Sequence, residues 1–334
     1  MPLVLDRKQV LDIYAEAAAR KWVIPTLNSE NLTTTEAILS AALDFSKKTG
    51  KPDIPVTVGI TNQYSHRSQS VYYTHTRQWD IGLKLFLSDL GILTEKGSPF
   101  EKLNVMVHLD HAQWDSDRPL FEWDMNRFSM IMYDASVLPF GDNIRLTADF
   151  VSEHGHEIVI EGACDEIVDA TGDTRSDLTT PEQADKYLKE TGVDFIVANL
   201  GTEHRASAAD LRYHGELARQ ISRLTGTRLV LHGTSSVGND QIRNLFDDGI
   251  AKVNIWTILE RNTAPVLFED MLRNASKITG REKAEVLLRE NLLGKGADLG
   301  SKASLSHYTT VYRQDIIFSE MKKIVSDYLD LWYI

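Results

Sequence analysis

The chain has 334 residues, 42% of them hydrophobic, and a formal net charge of −12. That apolar share is ample for a large buried core, while the acidic balance excludes a nucleic-acid polyanion as the main partner, because phosphate binding needs clustered Lys and Arg. Cys164 is the single cysteine, which excludes an internal disulfide framework and fits a reducing compartment.

The opening stretch MPLVLDRKQVLDIYAEAAARKW mixes charges among its apolar residues and lacks the uninterrupted apolar centre of a signal peptide. No run approaches the length of a membrane span, so a soluble cytoplasmic protein with no membrane partner is expected. Short β-branched runs then recur, at residues 23–28, 54–61, 104–110, 128–135, 157–164, 193–199, 229–233 and 250–255. They are nearly continuous in apolar character rather than alternating, as strands buried on both faces should be. Helical spacing fills most of the gaps. TTTEAILSAALDFSKKTG starts with threonines able to cap and ends in Lys and Gly. TTPEQADKYLKETG places Thr180 and Pro181 at a helix start and Gly192 at its end. NDQIRNLFDDG is read as a helix by the same logic.

Eight strand–helix units predict a single α/β domain over residues 1–334, a (β/α)8 TIM barrel with its core at about 5–265. The alternative is an open doubly wound sheet, weakened by the lack of a G-x-G-x-x-G after the first strand. Residues 62–103 are too long for a plain crossover and form an insert after the second strand, with a helix expected at 80–91. From about 265 to 334 the chain reads as a helical extension. Its closing Tyr328, Leu329, Leu331, Trp332 and Tyr333 should pack on the barrel or on a second subunit.

In such a barrel the chemistry sits on the loops after the strands. Asp110 and His111 end the third run, in VHLDHAQ. Asp134 and Ser136 follow the fourth, Glu161 and Asp165 the fifth, His204 the sixth, His232 the seventh and Asn254 the eighth. All should face one mouth. Histidines from separate strand ends can share a divalent ion and leave a coordination position open for substrate. Hydrogen bonding within a loop is the competing reading of each. Asp110 adjoins His111, and neighbours on a strand point apart, so the strand is expected to end there if both groups serve one site.

The motifs HLDHA, MIMYDASVLPFGDNIRLT, VDFIVANLGTEH, LVLHGTSS and GIAKVNIWT stand in an order and spacing that resembles the class II, metal-dependent fructose-bisphosphate and tagatose-bisphosphate aldolases. The likeness covers most of residues 5–265. It implies a TIM barrel that performs reversible aldol cleavage of a ketose or ketose phosphate with one catalytic zinc ion, and leaves room for a monovalent cation. By position, His111, His204 and His232 correspond to the zinc ligands and Asp110 to the proton-shuttling aspartate. Asn254 corresponds to the asparagine that holds the donor ketone, and Thr61 to a small hydroxyl residue near substrate. His108 is expected to be structural. Gly233, Ser235 and Thr257 keep the family's substrate-cradling pattern. The likeness and the apolar C-terminus together imply a homodimer or larger homo-oligomer.

Several positions depart from the pattern. Arg205 stands where the family has Gly after the second-site histidine; either it binds an anionic substrate group, or the pocket is filled and the substrate lacks that phosphate, or the side chain points to solvent. The family's HGGSG or HGASG becomes HGTSS, and NIDT becomes NIWT, with Trp256 in place of an aspartate. Glu161 matches the first acid of a Glu-x-Glu pattern, but Ala163 replaces the second. The loop glutamate that takes the donor's proton has only Asp169 and Asp173 as stand-ins. Two other functions stay open on the same barrel: a zinc-dependent hydrolase or other lyase, and a sugar-binding descendant without turnover.

Overall fold

The computed structural model describes residues 3–165, 178–202, 213–234, 237–238 and 240–333. Eight parallel strands close into a barrel in chain order. They are β1 (Ile24–Asn28), β2 (Pro55–Thr61), β3 (Asn104–Gln113) and β4 (Met130–Asp134), then β5 (Val159–Ala163), β6 (Phe195–Val197), β7 (Leu229–Leu231) and β8 (Ile250–Ile255). Pairing of β1 with β8, from Ile24 against Lys252 to Leu27 against Ile255, shuts the ring. The expected α/β barrel is the observed fold. Seven of the strands are buried at every residue and the eighth, β3, at all but its two ends, which is why their sequences do not alternate.

Local chemistry accounts for several helix ends. Helix Pro181–Thr191 has the full capping box of Thr180 and Gln183, and Gly192 closes it at φ 74°. Helix Leu32–Thr49 ends on left-handed Gly50, but its cap is Asn31 rather than a threonine: the Asn31 side chain accepts from the Thr34 amide. NDQIRNLFDDG departs from expectation. Among its described residues only a single 3₁₀ turn forms, at Ile242–Asn244.

Helix Arg7–Ala19 lies at the N-terminal ends of the strands. Arg7 donates to Asp194 Oδ1 and to the Gly155 carbonyl, both at 2.6 Å, and the Tyr14 ring meets Phe195 at 4.6 Å. The insert after β2 carries helices Gln69–Tyr72 and Trp79–Thr94, the latter wider than the expected 80–91. Helix Thr310–Trp332 packs along Leu32–Thr49 with ion pairs Lys48–Asp330 (2.7 Å) and Lys322–Asp44 (2.5 Å). Its apolar end is covered by the barrel of the same chain. Tyr333 stacks on Trp22 at 4.7 Å and donates to the Pro55 carbonyl, and Trp332 Nε1 donates to the Ile242 carbonyl.

TIM-barrel interiors are usually filled by branched aliphatics. Here His108, Glu161 and Lys252 are each fully buried within it. Lys252 Nζ lies 2.7 Å from Glu161 Oε1 and 3.3 Å from His108 Nε2. Burial disfavours the ammonium and lowers its pKa, against the pull of the Glu161 and Asp110 carboxylates.

Candidate metal and substrate site

The mouth of the barrel opens into a cleft whose floor holds Asp110, His111 and His232. One irregularity of β3 puts the first two side by side. Leu109 pairs with Ile131 and Ala112 with Tyr133, three steps along β3 against two along β4, so one residue is extra. His111 takes up the excess in the left-handed region at φ 47°. The strand therefore does not stop after Asp110, as expected, but bulges and continues to Gln113. The bulge does what a strand end would have done, turning two neighbours to the same side.

His111 Nε2 approaches His232 Nδ1 to 3.2 Å. Two nitrogens on one tetrahedral zinc, each about 2.05 Å from it, lie about 3.3 Å apart. Asp110 offers a third ligand-type atom, and all three atoms fall within 4.8 Å of one another. The other nitrogen of His111 is 2.7 Å from Asp134 Oδ2. That contact fixes the tautomer and leaves Nε2 with its lone pair aimed at the cluster. Asp134 is itself held by Ser136 Oγ at 2.6 Å and Gln113 Nε2 at 3.2 Å. Burial opposes its charge, yet His111 and Ser136 outweigh this and bring its pKa down to about 2. Burial also opposes charge on His111, but the Asp110 and Asp134 carboxylates prevail and make the ring more basic. The residues present fit a divalent ion. His204 lies outside the described residues, as do Arg205, Ser235, Asp169 and Asp173.

Asp110 is gripped from both sides. Oδ2 accepts from Asn28 Nδ2 at 2.7 Å, and Oδ1 from Asn254 Nδ2 at 2.8 Å. Lys252 Nζ donates to Asn254 Oδ1 at 2.7 Å, which sets the amide so that its NH2 faces the aspartate. Burial works against the charged form of Asp110. The histidines, His111 first, overcome it and hold the carboxyl well below the usual carboxylate range. Held by two amides and lining the cleft, the carboxylate is positioned to exchange a proton with a bound hydroxyl.

Gly233, at φ 68°, follows His232 and lines the cleft with Thr234, Asn254 and Thr257. Thr61 also lines it, but its hydroxyl is committed within the insert, donating to the Arg67 carbonyl and accepting from the Gln69 amide.

A model of the family described as "Fructose-bisphosphate aldolase class-II" matches residues 8–303. The chain belongs to this family. Among curated relatives, the fructose-bisphosphate aldolase of Staphylococcus aureus (strain Mu50) is 26% identical over 310 residues, covering 90% of this chain and 98% of its own length. That of Treponema pallidum is 27% identical over 260 residues, 70% of each chain. Two solved structures share the fold. The fructose-bisphosphate aldolase of Campylobacter jejuni has a TM-score of 0.76 at 17% identity, covering 99% of this chain and 95% of its own. The YdjI aldolase of Escherichia coli K12 has 0.64 at 18%, covering 96% and 94%.

Within this class-II aldolase frame, several residues at the site escaped the sequence reading. Asn28 ends β1 and carried the same strand-end signal as the residues that were picked. A Cβ at Gly59 on β2, its register partner, would collide with the Asn28 carboxamide, so the glycine makes room for it. Lys252 gave no signal, because a lysine inside a strand reads as solvent-facing. His108, expected to be structural, lies 3.5 Å from Asp110 Oδ1 and belongs to the buried network beneath the site. Tyr64 of the insert lies flat on His111, ring centroids 4.1 Å apart and planes within 1°, and His66 meets Tyr64 edge-on at 4.9 Å. His75 is exposed.

Proposed function

We propose that this family member is a zinc-dependent aldolase that reversibly cleaves a ketose or ketose phosphate. The convergence of His111 Nε2 and His232 Nδ1 beside an ionised Asp110 carries the reading. His111, His204 and His232 would hold the ion. When bound, it supplies the positive charge that stabilises the oxygen of the ene-diolate formed as the C–C bond breaks.

The chain's own groups do the rest. Asp110 takes the proton of the hydroxyl next to the bond being cut. The O–H electron pair becomes the aldehyde carbonyl, and the C–C pair passes to the ketone half. In condensation Asp110 returns the proton. Asn28 and Asn254 keep the carboxylate in place throughout, so no reorganisation is needed as charge moves. Gly233, Ser235, Thr257 and Arg205 are assigned to substrate binding, while the Thr61 hydroxyl, expected there, is held by Arg67 and Gln69 instead. We place the enzyme in the cytoplasm as a homodimer or larger homo-oligomer.

The test is a screen of phosphorylated and unphosphorylated ketoses for aldehyde release, before and after removal of metal by a chelator. Chelation should abolish cleavage, zinc should restore it, and Asp110→Ala should keep the metal but lose turnover. Full activity in metal-free protein would refute the reading. Hydrolysis of esters or lactones without aldol cleavage would favour the hydrolase instead.

A further inference from the structure

Among the described residues lining the cleft, Arg67 is the only lysine or arginine. It comes from the insert after β2 and is not free to move. Its Nε lies 3.1 Å from each oxygen of Glu30, and its Nη2 also donates to Oε2. Glu30, just after β1, is nine-tenths buried. Its Oε1 also accepts from Trp256 Nε1 at 2.8 Å and from Gln69 Nε2 at 3.2 Å. The guanidinium rests on the Tyr72 ring at 4.4 Å. Withdrawing Arg67 would strand a buried carboxylate, so its orientation is fixed. Trp256, the residue that replaces the family's aspartate, is the strut that ties this assembly to the end of β8.

The charges decide what such a rim attracts. Arg67 is neutralised by Glu30, and the Glu260 carboxyl on helix Thr257–Arg273 interacts with both. A phosphate dianion arriving here meets a single cation whose charge is already paired with a buried carboxylate. A sugar hydroxyl meets no such opposition, and can accept from the guanidinium edge that Glu30 leaves unused. We infer that the Glu30–Arg67–Trp256 cluster is a specificity determinant that takes an uncharged, hydroxylated end of the substrate and disfavours a phosphate there. This deepens the aldolase reading and rests on it for the orientation of the substrate.

The experiment uses the full-length, zinc-loaded protein with a ketohexose 1-phosphate and the matching 1,6-bisphosphate. The ratio of kcat/KM should favour the monophosphate by about tenfold or more, through KM, as expected for binding energy made equally in ground and transition states. Glu30→Gln frees the Arg67 charge and should move the ratio about tenfold toward the bisphosphate. Glu260→Gln, on a different element, should move it the same way if Glu30→Gln fails to fold. Calorimetric Kd values for both compounds on Asp110→Asn protein give the ratio without turnover. Tighter binding of the bisphosphate, a ratio that neither substitution moves, or binding of neither compound overturns the inference. Selective binding of the monophosphate without any cleavage by the wild type would sink the aldolase reading and leave this one standing.

Discussion

Replacing Lys252 by Met separates two jobs that one ammonium performs. Its Nζ sits 2.7 Å from Glu161 Oε1 and 2.7 Å from Asn254 Oδ1, in a place no water reaches. Methionine preserves length and volume but removes the charge and the donor. Breaking a buried pair from one side leaves an uncompensated charge, which costs about 3–5 kcal/mol. The second job is positional. Without Lys252, Asn254 can turn its carbonyl rather than its NH2 toward Asp110, and a charge-assisted hydrogen bond of about 1.5–3 kcal/mol is lost, or roughly 10- to 150-fold in kcat. Urea unfolding midpoints and steady-state kinetics read the two effects separately. Adding Glu161→Leu should recover most of the stability, because the stranded carboxylate is gone, and none of the turnover. A single variant within 1 kcal/mol of wild type, or a double variant with normal kcat, would refute the reasoning.

Three further outcomes are expected. Asp134→Asn removes the carboxylate that orients His111, and zinc affinity measured by calorimetry should fall about 10- to 100-fold. Glu260 has its pKa pushed up to about 7 by burial, reinforced by the charge of Glu30 and opposed by Arg67. A carboxyl raised in the folded state binds more protons there than in the unfolded chain, so it contributes a penalty that grows as pH rises from about 4.5 to 7. Glu260→Gln should therefore raise the unfolding free energy from urea titrations at pH 8 by about 1–2 kcal/mol after solvent screening, and leave it unchanged at pH 4. Tyr333→Ala deletes a buried ring and its bond to Pro55, and should cost about 3–5 kcal/mol, read as a lowered thermal midpoint.

The barrel was legible because parallel strands covered on both sides must be apolar throughout. For IAKVNI the expected run and the observed β8 coincide at both ends. The reading of NDQIRNLFDDG as a helix went wrong: helical spacing is there, yet among its described residues the backbone closes only one 3₁₀ turn. At the site, Asp110, His111 and His232 stood out as polar groups closing apolar runs. Their neighbours did not. Lys252 looks like any strand lysine until its partner on β5 is known. Arg67 and Trp256 meet at Glu30 across 37 and 226 residues of chain, a coincidence that only the closed barrel creates.

The kink at His111 makes the length of β3 unforgiving. The only residues between Leu109 and Ala112 are Asp110 and His111, so a deletion that restored even pairing with β4 would remove the carboxylate or the imidazole itself. Loss of a single codon here cannot be absorbed, so the spacing of Asp110 and His111 is protected by geometry as well as by chemistry.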